Sequence, residues 1–274
     1  MKTVYITDLD GTLLTPDAAL SAFSREALGQ LARAGVCVAL STARTAATVS
    51  KMFDGVPLLA PAALMNGACV YDVNAGRYVS AEVIPTNAQA ALFSAVAGMC
   101  AFAYTVEDGA LSTFYECDDE PHAREFRRER EIKYGKVFTK VDSLSELVGR
   151  GVVYLSLAGR EEATRPVRDA LETVEGLNVH FYRDIYEREF FYLEACAAGA
   201  SKSAAARLIR ALTGAERLVG FGDNLNDLSL FEECDERIAV ANAAVEVKLA
   251  ADLVIGTNSE DAVVKYILER EGVE

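Results

Sequence analysis

The chain has 274 residues and a formal net charge of −14, with 41 acidic and 27 basic side chains. So acidic a surface repels nucleic acid over most of its extent, and no apolar run reaches the roughly 18 residues needed to span a bilayer. Only two histidines are present, so a multi-histidine zinc site would have to use His122 and His180, whereas an oxygen-ligated hard cation is easily housed.

The N-terminal MKTVYITDLD lacks the basic start and apolar core of an export signal, so a cytoplasmic location is expected. VYIT (4–7) reads as a buried strand, residues 20–34 as a helix ending at Gly35, VCVAL (36–40) as a second apolar strand and 46–53 as a helix. Asn74-Ala75-Gly76 marks a hairpin turn. The last third repeats the alternation, with helices at 203–213, 225–233, 244–250 and 260–270 and strands at 217–221, 236–240 and 252–256. Helices alternating with short apolar strands imply a mostly parallel sheet covered on both faces.

The middle of the chain follows another pattern. Ala88, Ala91, Leu92, Ala95, Val96 and Met99 form a helical stripe over 87–99, and Glu107-Asp108-Gly109 reads as a hairpin turn. The charged run 122–131 reads as a solvated helix. A strand at 152–157, a helix near 161–174 and strands near 178–182 and 189–193 complete an α+β pattern. The expected fold class is therefore α/β: a Rossmann-like parallel-sheet core, residues 1–83 and 191–274, interrupted by an inserted α+β domain over 84–190. The scatter of Cys37, Cys69, Cys100, Cys117, Cys196 and Cys234 suggests neither a zinc site nor a disulfide framework, so reduced cysteines are expected.

In open parallel sheets, ligands bind beyond the carboxyl ends of the strands. Asp8, Leu9 and Asp10 follow the first strand, and Ser41, Thr42 and Arg44 follow the second. Asp223, Asn224, Asn226 and Asp227 follow 217–221, and Lys202 opens a helix. Two carboxylates one residue apart repel if buried and unpaired, and a divalent cation shared with Asp223 resolves the conflict. The same cation accepts a phosphate oxygen. An aspartate nucleophile is already ionised at neutral pH, leaving Asp10 to act as acid and then base.

These residues carry a resemblance. DLDGTLL resembles the D-x-D-G-T-L signature of the haloacid dehalogenase-like phosphatases, and GDNLND their acidic G-D-x-x-N-D motif. STAR resembles T-G-R, MNGACVYD resembles N-G-A-x-x-x-D, and a lysine stands in ASKSAAA. With a domain inserted after the third motif, the chain is most similar to the Cof-like subfamily with its type IIB cap. The resemblance implies that Asp8 is the nucleophile and a Mg²⁺ ligand, and that Asp10 is the acid/base and binds Mg²⁺ through its carbonyl. It implies Asp223 as the remaining ligand, supported by Asp227. Leu9, Thr42, Ala43, Lys202 and Asn226 would hold phosphate, with Ala43 standing where the family has glycine; Arg44 and Asn66 would lie near the substrate entrance. The expectation is a Mg²⁺-dependent phosphatase of small phosphorylated metabolites, sugar phosphates above all. Its closure by the cap would exclude bulk water. Alternatives are a phosphomutase of the same superfamily or a non-catalytic binding module. Oligomeric state stays open.

Overall fold

The apolar runs 4–7, 37–40 and 218–221 are short because each is buried on both faces and ends where the chain must turn polar. In a computed structural model that describes residues 1–184 and 187–273, β1 (Thr3–Thr7), α1 (Ala22–Arg33), β2 (Cys37–Leu40), α2 (Ala46–Met52) and a small antiparallel sheet of β3 (Ala62–Leu64), β4 (Cys69–Asp72) and β5 (Arg77–Ala81) form the first segment. The insertion contains α3 (Thr86–Ala95), β6 (Ala101–Glu107), β7 (Ala110–Tyr115), α4 (Pro121–Tyr134), β8 (Thr139–Lys140), β9 (Val152–Arg160), α5 (Glu161–Leu171), β10 (Leu177–Arg183) and β11 (Phe190–Ala197). The chain returns through α6 (Lys202–Thr213), β12 (Arg217–Gly222), α7 (Asp227–Phe231), β13 (Glu236–Ala239), α8 (Val245–Ala250), β14 (Leu253–Val254) and α9 (Ala262–Glu271).

The returning strands join β1 and β2 in one parallel sheet of order β14-β13-β12-β1-β2. Both ends of the chain therefore build the same sheet. Thr7 is level with Leu40 on one side and Phe221 on the other, so three strands end together. The backbone continues this alignment: Asp8 N donates to the Phe221 carbonyl (3.1 Å) and Ser41 N to that of Thr7 (2.8 Å). Val4, Ile6, Ala39 and Leu218 lie in the core with Ile209 and Ala205 from α6.

Glu236, at the start of β13, fastens the sheet to α9. Its carboxylate accepts from Arg270 Nη1 (2.7 and 2.8 Å), Tyr266 Oη (2.8 Å) and Arg217 Nη2 (2.6 Å). The hydrogen bond from Arg270 leads these in holding the carboxyl down, to about 2. A carboxylate with a depressed folded pKa stabilises above its unfolded pKa and loses that contribution as pH falls through the folded value. Glu236→Gln is thus expected to cost about 1–3 kcal/mol at pH 7. Acid titration of unfolding should show the gap to wild type closing from about pH 4.5 down toward 2; a gap constant over that window would remove the ion cluster as its cause.

The chain divides into two compact units, Met1–Ser80 with Ser201–Glu274, and Ala81–Ala200. The boundary expected at 190/191 falls inside β11, after its first residue; β11 pairs antiparallel with β9 and β10 and so belongs to the six-stranded sheet β10-β11-β9-β6-β7-β8. Periodicity places the strand near 189–193 in the α+β pattern of the middle but does not mark where that pattern ends, so the expected boundary comes too early. The helix expected over 87–99 stops at Ala95, followed by a turn in which Gly98 takes φ +75°. The strand expected at 252–256 shortens to the exposed pair Leu253–Val254 at the sheet edge. The expectation of reduced cysteines also fails: Cys100 and Cys117 form a disulfide. They are joined by hairpin register, since Phe102 faces Tyr115 across β6 and β7 and two residues further out Cys100 faces Cys117. No helix among the described residues is long and apolar enough to cross a membrane.

Candidate active site

Asp8 leaves β1 only 7% exposed. Lys202, 2% exposed, opens α6 behind a Ser201 side chain that accepts from Ala204 N (3.0 Å). Its Nζ donates to Asp8 Oδ1 (2.6 Å), Asp227 Oδ1 (2.7 Å) and the Ser41 carbonyl (3.2 Å). One ammonium thus ties together the ends of β1 and β2 and the start of α7. Burial lowers its pKa, but the Asp227 and Asp8 carboxylates outweigh burial and hold it above the usual lysine range.

Asp227 is fully buried. One oxygen meets Lys202, and the other accepts Asp223 N (2.9 Å) and Asn224 N (3.0 Å). Gly222 makes room for it, because a Cβ there would lie 2.5 Å from Asp227 Cβ. Asp223 Oδ1 accepts from Thr12 Oγ1 (2.7 Å). Gly11, at φ +81°, passes so close that a Cβ would lie 2.4 Å from Asp223 Oδ2; here only glycine supplies both the left-handed backbone and the clearance. Burial pushes Asp223 up to about 6, and burial with the Asp227 and Asp223 charges raises Asp8 against the pull of Lys202.

Oxygens of Asp8, Asp223 and Asp227 lie within 4.8 Å of one another. Three converging carboxylates share one lysine, so the cluster is short of positive charge. Its donors are all hard oxygens. A divalent cation of the Mg²⁺ type fits both facts. Asp227 has both oxygens engaged, which leaves Asp8 and Asp223 as the carboxylates able to turn to a cation.

The remaining expected residues fall into two groups. Asp10 is bound bidentately by Arg44, with Nε at 2.7 Å and Nη2 at 2.6 Å. Thr42, 1% exposed, accepts Arg44 N on its hydroxyl (3.2 Å) and Asn66 N on its carbonyl (3.1 Å); Ala43 lies between the two, half-buried. Met65 and Asn66 both adopt left-handed backbone at φ +51° and +54°, followed by Gly67 at +93°. Asn66 Oδ1 accepts from Asn226 Nδ2 (3.3 Å), while Asn226 Oδ1 is buried without a hydrogen-bond partner. Leu9 is buried and closes a wide turn in which its carbonyl accepts Leu14 N (2.8 Å). Sequence reasoning did not single out Thr12 or Asn242, whose Nδ2 donates to the Gly11 carbonyl (2.7 Å). Thr12 lay inside the D-x-D-G-T run; Asn242 carried no local signal.

Comparison with known proteins agrees with this geometry. A model of the haloacid dehalogenase-like hydrolase family matches residues 5–267. Pyridoxal phosphate phosphatase YbhA of Escherichia coli is 26% identical over 270 residues, covering 96% of this chain and 97% of its own. 5-amino-6-(5-phospho-D-ribitylamino)uracil phosphatase YitU of Bacillus subtilis is 26% identical over 268 residues, covering 96% and 95%. A crystal structure from Thermotoga maritima is 27% identical, with a TM-score of 0.76 over 98% of this chain and 97% of that one. A core sheet built from both chain ends, an acidic cluster at its strand ends and a match over nearly the whole length place this chain in the haloacid dehalogenase-like hydrolase family.

Proposed function

We propose that the protein is a Mg²⁺-dependent phosphomonoesterase of small phosphorylated metabolites that works through an aspartyl phosphate on Asp8. The observation that carries the reading is the buried Lys202 ammonium bonded to Asp8 and Asp227 beside Asp223. It fixes a carboxylate at the end of a strand, among groups suited to an anion and a cation at once.

Asp8, Asp223 and the Asp10 carbonyl would hold Mg²⁺, which supplies charge neutralisation between the phosphoryl group and the carboxylate that attacks it. Asp227 orients Lys202 and the 223–224 amides. Lys202, Thr42, Asn226 and the amides of Leu9 and Ala43 would bind phosphate oxygens. An Asp8 oxygen forms a bond to phosphorus as the bond to the leaving oxygen breaks, and Asp10 gives that oxygen its proton. Water then attacks phosphorus, Asp10 takes the proton, and the Asp8 carboxylate is regenerated with inorganic phosphate. Arg44, which holds Asp10, would lie near the substrate entrance, and Asn66 supports Asn226.

For the substrate, sugar phosphates are proposed on the resemblance of the motifs. The two curated relatives are named for pyridoxal phosphate and for a phosphoribitylamino-uracil, so the panel should contain both alongside hexose phosphates. Phosphate release from p-nitrophenyl phosphate is expected to require Mg²⁺ and to fall at least about 10³-fold in Asp8→Asn. Turnover at the wild-type rate in that variant, or in excess chelator, would sink the proposal.

A further inference from the structure

The Asp10 carbonyl, proposed as a Mg²⁺ ligand, lies in a turn that its own residues do not hold still. Asp10 (φ −73°, ψ 117°) and Gly11 (φ 81°, ψ −8°) have the angles of the two central residues of a type II turn over residues 9–12. Glycine is required at position 11 for clearance beside Asp223, yet glycine constrains a turn least of all residues. The peptide groups on either side must therefore be fixed from outside.

Two asparagines do this. Asn242 Nδ2 donates to the Gly11 carbonyl (2.7 Å), and its Oδ1 accepts Asn258 N (3.0 Å). Asn258, 7% exposed, donates its own Nδ2 to the Leu14 carbonyl (2.8 Å), and Leu14 N donates back to the Leu9 carbonyl (2.8 Å). A carbonyl at one end of the Asn242 amide and an N–H at the other admit a single orientation, and among side chains of that shape only asparagine supplies both a donor and an acceptor at neutral pH. The sheet places Asn242. β13 ends level with β12, with Ala239 beside Gly222, so the segment 240–244 starts at the same edge as Asp223. Ala244 N donates to the Asp223 carbonyl (2.8 Å) and Ala241 N to that of Gly256 (3.1 Å). One loop thus grips the backbone of Asp223 and, through Asn242, the turn that follows Asp8. Thr12, just past that turn, donates to Asp223 Oδ1 (2.7 Å), so a shift of the turn reaches this carboxylate too.

We propose that Asn242, backed by Asn258, is a positioning residue that sets the place of the Asp10 carbonyl relative to the Asp8 and Asp223 carboxylates, and so the affinity of the site for a divalent cation. The proposal rests on the phosphatase reading for the purpose of the cation but not for its binding, so the test starts without substrate. Mn²⁺, a hard cation that oxygen ligands also suit, is titrated into metal-free full-length protein and its free fraction is followed by electron paramagnetic resonance. Asn242→Ala is expected to weaken binding about three- to tenfold, the weight of one lost hydrogen bond. It should raise by the same factor the Mg²⁺ concentration that half-saturates p-nitrophenyl phosphate turnover, with KM at saturating Mg²⁺ unchanged. Asn242→Asp keeps the bond from Asn258 N but turns an acceptor toward the Gly11 carbonyl. It should weaken Mn²⁺ binding as well, although it adds a negative charge that Coulomb attraction alone would make favourable. Asn242 is exposed, so both variants are expected to fold, which denaturant unfolding of the metal-free proteins checks. A role confined to stability would lower the unfolding free energy and leave Mn²⁺ affinity where it was. Wild-type Mn²⁺ affinity in Asn242→Ala, or tighter binding in Asn242→Asp, overturns the positioning role and leaves the phosphatase reading untouched. Weakened Mn²⁺ binding in both variants of a protein that releases no phosphate supports the positioning role and contradicts the phosphatase reading.

Discussion

Lys202→Met is expected to remove phosphatase activity and to lower stability by about 3–5 kcal/mol, the usual cost of stripping one partner from a buried ion cluster. The ammonium holds Asp8 and Asp227 at 2.6 and 2.7 Å, and all three side chains are nearly or wholly excluded from water. Without it, two buried carboxylates face each other with Asp223 alongside. Removing one preorganised donor to the transferring group costs about 10²–10³ in kcat by itself; misplacing the nucleophile adds to that. Denaturant unfolding and single-substrate kinetics on the same preparation read both effects. A variant that kept wild-type stability would show that Lys202 is not needed to compensate those charges.

Gly67→Ala should be the most damaging substitution outside the charged groups. A Cβ at Gly67 would lie 2.1 Å from the Ser201 carbonyl oxygen, at φ +93°. Backbone strain of this kind costs an alanine about 1–2 kcal/mol, and the clash is with main chain that cannot rotate away. The total should reach about 3 kcal/mol or more. Because Ser201 precedes Lys202, turnover should fall with it. Gly35→Ala is the control: its φ is +81° but nothing lies within 4 Å, so it should show the strain alone and keep activity. Equal unfolding free energies for the two variants would contradict this account of the close approach.

The parallel core was legible because buried strands and amphipathic helices write their periods directly into the chain, and because the chemistry follows the strands: VYIT then Asp8, RLVGF then Asp223. Lys202 was legible as the first residue of a helix. Less legible was what depends on pairing across distance. The strand near 189–193 reads with the inserted pattern, but no local signal marks where that pattern gives way to the core, so the boundary is expected at 190/191 instead of after Ala200. The Cys100–Cys117 bond was implicit in the hairpin centred on residues 108–109, since equal steps outward reach both cysteines. Arg44 was expected near the entrance, but nothing local marks its bidentate hold on Asp10. The left-handed pair Met65–Asn66 is likewise unmarked, because methionine has no preference for that backbone and bonds to the Arg44 and Thr42 carbonyls, distant in sequence, help hold it there.

The central claim is that the phosphoryl group passes through the carboxylate of Asp8. Borohydride reduction of rapidly quenched, turning-over enzyme converts an aspartyl phosphate to homoserine, which peptide mass spectrometry locates. Homoserine at position 8, formed only with substrate and Mg²⁺ together, is the predicted result. Full turnover with an unmodified Asp8, or reduction at another carboxylate, would contradict it.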